Sequence, residues 1–565
     1  MIFILLSWIY TFFISTGMGS FLFPLTRTKN PSFLIISGLF VQLLLLHFWA
    51  LFLPVNQLFY LLNTVMATLA LYSKRLEIKE IIANALIDFK NAGIFLKLVF
   101  GFIFITALMQ SSVSPVLPDN ESYYAQSIKW LNEYGLVKGL ANLHFFFGQS
   151  SGWHLLQSSF NFGFWFDFLN DLNAFLLVTV AFFSCNRMDS FFKNKNSIDL
   201  FAGLIFIFSL FLFRFLDSPN PDLPVFLISP LMIWIFYKNF QNPEYKSVVL
   251  LFVFGFLLCL IKVTSFPVLL LPFILLFKSA EFAKLFKIVF VFGLLVLLAF
   301  CSKNYILTAY LFYPTDIFGQ LLNPDWKLPA EMQHFYYELT MSYAFDLSTV
   351  AEIEQFHKWS FFMRIKHWFL SYGLNGVFNQ LMVLLLLIFP FWVRKNKAFL
   401  WIYIFGLIQF LILFFTSPQY RFFFHIVLIF SLLITAQILI KFPEKLIKTV
   451  LIAGLISVLM PLFVSLNVNS LTTNKMLEEQ ANLFSFSELI EPKPNIRFEA
   501  DYKLIKEGNL KYYSPESDFF YASGGGPLPS ANRQMINYFK RKFDIRPQLR
   551  SGDLKDGFYS QRRKK

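Results

Sequence analysis

Residues 118–153 read PDNESYYAQSIKWLNEYGLVKGLANLHFFFGQSSGW. An apolar run ends before them near Met109, and the next comparable run begins only around Asn173. Between the two lie an Asp-x-Glu pair (Asp119, Glu121), an aromatic amphipathic segment, a Gly-Leu-Ala-Asn-Leu-His turn and a Gln-Ser-Ser-Gly loop. A polar, acidic segment of this length at the end of an apolar run reads as the mouth of a helix bundle. The flanking runs decide what kind of bundle it is.

The chain of 565 residues is 56% hydrophobic and 15% charged, whereas soluble domains carry about 25% charged residues. With a mean hydropathy of +0.58 and 78 phenylalanines, it reads as an all-α polytopic membrane protein. The net charge of +14 does not point to nucleic acid, because basic residues in membrane proteins collect in cytoplasmic loops. Cys185, Cys259 and Cys301 all lie in or beside apolar runs, which argues for small buried hydrophobes rather than disulfides. The opening MIFILLSWIYTFFISTG has no basic n-region and reads as a retained helix, not a signal peptide.

A spanning helix needs about 20 mostly apolar residues. That rule gives about fourteen helices, near 2–23, 33–53, 57–72, 92–112, 173–184, 198–216, 222–238, 247–261, 264–277, 286–302, 376–393, 398–415, 422–440 and 447–466. One long helix over 247–277 is the alternative for that region. Alternate short loops carry Arg27/Lys29, Lys74/Arg75/Lys79/Lys90, Arg187/Lys193/Lys195, Lys238/Lys246, Lys278/Lys284/Lys287, Arg394/Lys395/Lys397 and Lys441/Lys445/Lys448. The positive-inside rule makes these cytoplasmic. Both termini and the long 113–172 and 303–375 loops then face outward, with a re-entry at Lys262. The second half of the 303–375 loop has helical spacing, with Glu352, Glu354, His357, Arg364 and Lys366 among apolar residues, and is expected along the interface. From about Asn467 the chain turns polar and is broken by Pro492, Pro494, Gly524-Gly525-Gly526-Pro527 and Pro529. It reads as a small external appendage with a flexible end at Arg562-Arg563-Lys564-Lys565.

Candidate chemistry gathers at the outer helix ends. A carboxylate there can deprotonate an acceptor hydroxyl or hold a divalent cation against a phosphate. Asp119 is the first choice, with Glu121 expected on the same side of an extended segment. The turn Asp217-Ser-Pro-Asn-Pro-Asp222 adds two more acids, stiffened by proline. Lys262 interrupts two apolar half-runs, which marks a functional cation unless it snorkels to the interface. Arg421 in SPQYRF is a similar cation, whereas Arg214 is expected to pair or snorkel. His144 and His154 have no metal spacing. There is no Gly-rich phosphate loop, zinc spacing, nucleophile elbow or dinucleotide fingerprint.

These features together resemble the GT-C superfamily of membrane glycosyltransferases. More narrowly, Asp119–Trp153 with IKWLNEYGLVKGLANLH at its centre, KNYILTAYLFYP at 303–314, and Asp325-Trp326-Lys327-Leu-Pro look similar to a poorly characterised family of bacterial polytopic membrane proteins with GT-C-like architecture. The resemblance implies N-terminal membrane helices over 1–91, a GT-C-like core over 92–466 and an external tail over 467–565. It implies Asp119 as catalytic base, Glu121 and Asp222 as supporting acids, and Lys262 and Arg421 as the cations that hold a donor phosphate. His144 and Trp153 would line the substrate cavity under the two long loops. No cofactor is required by this reading. Asp119-Asn120-Glu121 departs from the Asp-x-Asp of some members, which leaves a divalent metal open.

The function expected is transfer of a sugar from a polyprenyl-phosphate-linked donor to an envelope glycan or lipid acceptor. It would occur on the periplasmic face of a bacterial inner membrane, with inversion at the anomeric carbon and no nucleic-acid partner. A transporter or flippase of lipid-linked glycans is the rival from another class, but it calls for midplane charges and repeated halves. A polysaccharide polymerase or ligase is a closer rival. Such enzymes rely on paired arginines in the large external loop, and 303–375 offers only Arg364.

Overall fold

The computed structural model describes residues 1–166, 170–345, 347, 356, 358–393, 396–464, 483–497 and 500–562. Glu352, Glu354, His357, Arg394, Lys395, Asn467 and the final Arg563-Lys564-Lys565 lie outside the described residues.

The chain is predominantly helical, and each apolar run read from the sequence contains helix among the described residues. Among the described residues, eight helices are long and apolar enough to cross a membrane: Ile2–Ser20, Pro31–Trp49, Leu172–Asn194, Phe282–Thr308, Gly373–Trp392, Lys397–Thr416, Tyr420–Leu439 and Glu444–Phe463. The count rises to nine if the bent pair Arg75–Asn91 and Ile94–Gln110 is one span. Several anticipated helices are shorter. Ser197–Phe213 is broken by a 3-10 turn at Ile205–Phe208. The Asp222–Asn239 helix carries Pro230 in its interior.

Residues 75–91, expected as a basic loop, are instead a 17-residue helix bent by 116° from the next one. Ile78 and Ile81 are buried against Leu34, Phe23, Leu71 and Ile82, while Leu76 and Leu86 stay exposed. An amphipathic pattern of this kind suits a helix lying along an interface.

The first two helices pack backbone to backbone. A Cβ on Gly38 would stand 1.7 Å from the Ser15 carbonyl oxygen, a closeness only small residues permit. Asn30 accepts from the N–H groups of Ser32 and Phe33 and starts the second helix, with Pro31 at its first position. Region 247–277 is two elements rather than one long helix. Tyr245–Ile261 ends at Lys262, and the chain folds back through the Val263–Leu269 turn into Leu270–Lys278. Gly255 faces the Leu269 side chain, each equally far in sequence from Lys262.

One face of the bundle carries the first long loop, the 309–345 segment and the tail. The loop forms Ala125–Glu133, two 3-10 turns and Gly152–Ser158; the second segment contributes Ala330–Ser342. The tail comprises two antiparallel hairpins, β1 (Tyr502–Glu507) with β2 (Leu510–Pro515) and β3 (Ile545–Leu549) with β4 (Phe558–Arg562), around the helix Arg533–Phe543. It is fastened rather than appended. Phe558 N–H donates to the Lys138 carbonyl at 2.9 Å, Ser560 donates to Asn142 at 2.7 Å, Arg550 pairs with Asp325 and Arg562 with Glu331.

Candidate functional site

Four elements converge where the first loop meets the bundle. After Asp119 the chain enters a π-helical turn at Asn120–Tyr124 and continues into Ala125–Glu133. Asp222 is the first residue of the Asp222–Asn239 helix, and its N–H donates to the Asn220 side chain at 2.7 Å. A carboxylate at a helix N-terminus is favoured by the exposed amides and the helix dipole. Lys262 occupies the break between two half-runs. Arg421 opens the Tyr420–Leu439 helix.

These four side chains form two ion pairs. Arg421 Nη1 lies 2.6 Å from Asp119 Oδ2, and Lys262 donates to the Asp222 carboxylate. The ring of Phe422 joins them, with Lys262 Nζ 3.7 Å and the Arg421 guanidinium 5.2 Å from its centroid. Cations over an aromatic face gain from its quadrupole. A second thread runs through hydroxyl and amide. The Tyr124 hydroxyl donates to Asp119 Oδ2 at 3.4 Å and accepts from Asn220 Nδ2 at 3.2 Å. Burial raises the Tyr124 phenol well above its ordinary value, so it remains a donor. Asn173 holds the Asn220 turn by donating to the carbonyls of Phe215, Ser218 and Asn220. Gln419 orients Arg421 by accepting from its Nε at 3.0 Å.

The pairs differ in exposure. Asp119 and Arg421 side chains are 27% and 28% exposed, while Asp222 and Lys262 are 3% and 14% exposed. The first pair is partly exposed; the second is largely enclosed.

The other sequence candidates go elsewhere. Glu121 is not beside Asp119, because residues i and i+2 of a helical turn face opposite sides. Its carboxylate accepts from the Arg497 N–H at 2.7 Å, and its carbonyl accepts from Ser523 and Gly524. Burial raises its pKa, and its work is to seat the tail. His144 is fully buried; Nδ1 accepts from the Phe146 N–H, so Nε2 carries the proton and donates to the Tyr521 carbonyl at 3.0 Å. Burial holds this imidazole neutral, at about 4. Trp153 is likewise fully enclosed. Neither residue presents an atom to solvent. Asp217 faces Gln110 at 3.5 Å, and burial pushes its carboxyl up to about 7. Arg214 reaches the Tyr420 hydroxyl at 3.4 Å.

Two open concavities of about 550 and 830 Å³ lie on the tail, and no residue of the two ion pairs lines either. Among the described residues, no three His, Cys, Asp or Glu side chains gather as a metal site would need. Sequence reasoning missed Tyr124, Asn220 and Phe422. Phe422 adjoins Arg421, and Asn220 sits in the acidic turn, but nothing in their spacing marks them.

Over residues 1–428 the chain matches a domain of unknown function (DUF8201), and it belongs to that family. No curated protein and no solved structure matches it. The family span includes Asp119, Asp222, Lys262 and Arg421 and stops before the tail.

Proposed function

We propose that this protein is a membrane glycosyltransferase of GT-C-like architecture, with the shorter helices completing a bundle of about fourteen passes. It moves a sugar from a polyprenyl-phosphate-linked donor to an envelope glycan or lipid acceptor on the outer face of a bacterial inner membrane. Asp119 is the base that takes the acceptor's proton, and Tyr124 orients it. Arg421 receives the donor phosphate and stabilises the charge that develops as it departs. Asp222 and Lys262 hold the mouth in shape beneath them.

The observation that carries the reading is the partly open Asp119–Arg421 pair, an acid and an oxyanion-binding cation brought to one point from positions 302 residues apart. A base and a phosphate-binding guanidinium are the two groups that inverting displacement at a phosphosugar requires. The test is transfer by purified protein from defined polyprenyl-phosphate sugars. Wild type should form product and Asp119→Asn should not; full activity in the variant removes the assignment.

A further inference from the structure

A third cation is buried on this side of the bundle, and it has no anion. Lys303 lies near the outer end of the Phe282–Thr308 helix and is 5% exposed. Its ammonium donates to the Ser150 carbonyl. Among the described residues, no carboxylate lies within ion-pair distance of it. Lys262 and Arg421 both have acidic partners; Lys303 has a neutral carbonyl.

The groups around Lys303 share that deficit. The Ser150 hydroxyl and His154 Nε2 are buried without a hydrogen-bond partner, and so is His47 Nε2, an acceptor within the field of Lys303 because its Nδ1 donates to the Leu43 carbonyl. His154 Nδ1 accepts from the Ser151 N–H at 3.2 Å, so in the neutral ring Nε2 bears the hydrogen and is an orphan donor. Burial first, and then the Lys303 charge, hold His154 neutral, down to about 3. One ammonium and two orphan donors therefore face the interior, with the Ser150 carbonyl and the His47 ring nitrogen as the acceptors near them. Unpaired buried donors are rare in folded proteins and mark sites that something else completes. An uncompensated interior charge is costlier still.

We propose that Lys303, Ser150 and His154 bind a tetrahedral oxyanion of the phosphate class, with the Ser150 carbonyl standing in for it when the site is empty. The ligand is either the phosphate of a lipid headgroup or a free phosphate; both offer several acceptors to the ammonium, the hydroxyl and the imidazole N–H. The site is separate from the Asp119–Arg421 pair but adjoins it through one ring. His154 packs 4.6 Å from Tyr124, centroid to centroid, and Tyr124 donates to Asp119. The proposal goes beyond the glycosyltransferase reading and stands without it.

The test uses the full chain in phosphatidylcholine nanodiscs, with thermal unfolding as the readout. The arms are inorganic phosphate, pyrophosphate, polyprenyl monophosphate within the disc, and chloride at matched ionic strength. A phosphate arm should raise the Tm and chloride should not. A response to soluble phosphate identifies a free anion, and a response to the lipid alone identifies a headgroup. Lys303→Met should unfold at a higher temperature than wild type when empty, because it removes an unpaired interior charge. It should also weaken the phosphate response by roughly tenfold or more in apparent affinity. Ser150→Ala, which removes only an orphan hydroxyl, should fold and show a smaller response. Absence of a shift in every arm overturns the proposal, as does a shift that persists unchanged in Lys303→Met. A lower Tm for empty Lys303→Met also overturns it, since that identifies the lysine as a structural clamp on Ser150. Failure of sugar transfer by the wild type would count against the transfer reading alone.

Discussion

The two ion pairs beside Phe422 have the same chemistry and opposite settings. Asp119–Arg421 bridges 302 residues of sequence at the edge of the mouth, more than a quarter exposed on both sides. Asp222–Lys262 bridges 40 residues and is largely enclosed. A buried pair is dangerous to break because the survivor is left charged without water. An open pair can trade one partner for another at small cost. The enclosed pair is therefore the one whose loss of a partner costs most, and the exposed pair is the one that can exchange a partner.

The largest expected effect falls on the open pair. Asp119→Asn should cut transfer by about 10²- to 10⁴-fold, the range of general-base catalysis, with a Tm close to wild type. The same variant leaves Arg421 without its carboxylate, so it should bind polyprenyl phosphate more tightly than wild type in a direct binding measurement. Weaker binding would break the comparison, because Asp119 would then hold no place that an anion takes.

Next comes the enclosed pair. Lys262→Met should destabilise the protein by about 3–5 kcal/mol through the stranded Asp222. The double variant Asp222→Leu with Lys262→Met should regain most of that in thermal unfolding. A double variant as unstable as the single one would show that the pair contributes more than charge balance.

Asp217, in the same turn as Asp222 but without a cation at ion-pair distance among the described residues, sharpens the contrast through pH. Its carboxyl is raised from 3.8 to about 7 by burial, so the folded state holds a proton that the unfolded state has lost. Stability should fall as pH rises through that window, by up to about 1.4 kcal/mol per pH unit. It should then level off above the folded pKa. Asp217→Asn should flatten this slope in unfolding measured from pH 4 to pH 8. An unchanged slope would mean that another group titrates there.

The smallest effect is expected at Tyr124. Its hydroxyl donates to Asp119 and accepts from Asn220, so Tyr124→Phe should cost about 1 kcal/mol of stability and lower the transfer rate severalfold while leaving polyprenyl-phosphate binding unchanged.

Much of this was legible in the sequence, for a physical reason. Apolar runs announce helices wherever lipid or a packed interior surrounds them, and charges at their ends stand out. Asp119, Asp222, Lys262 and Arg421 were found that way. Their pairing was not legible, because partners so far apart in sequence leave no local spacing. Glu121 was misplaced because an Asp-x-Glu pair faces one way in an extended chain and opposite ways in a helical turn. The Arg75–Asn91 helix was hidden by its own charges, which mark the side of the membrane and say nothing about backbone conformation. His144 and Trp153 were read as cavity residues from their loop position, whereas that loop is itself a packed layer beneath the tail. Lys303 passed as an ordinary loop cation because its neighbours in space, Ser150 and His154, belong to a distant stretch.

The hydrogen bond from Ser560 to Asn142 spans 418 positions, and it sets an order of events during synthesis. The loop around Asn142 is synthesised long before β4. Until then the carbonyl of Lys138, which ends up bonded to Phe558, has only water or a chaperone as partner. The fastening of the tail thus waits for β4, and a chain stopped short of it would keep Asp119, Asp222, Lys262 and Arg421 but lose the bonds to Lys138 and Asn142.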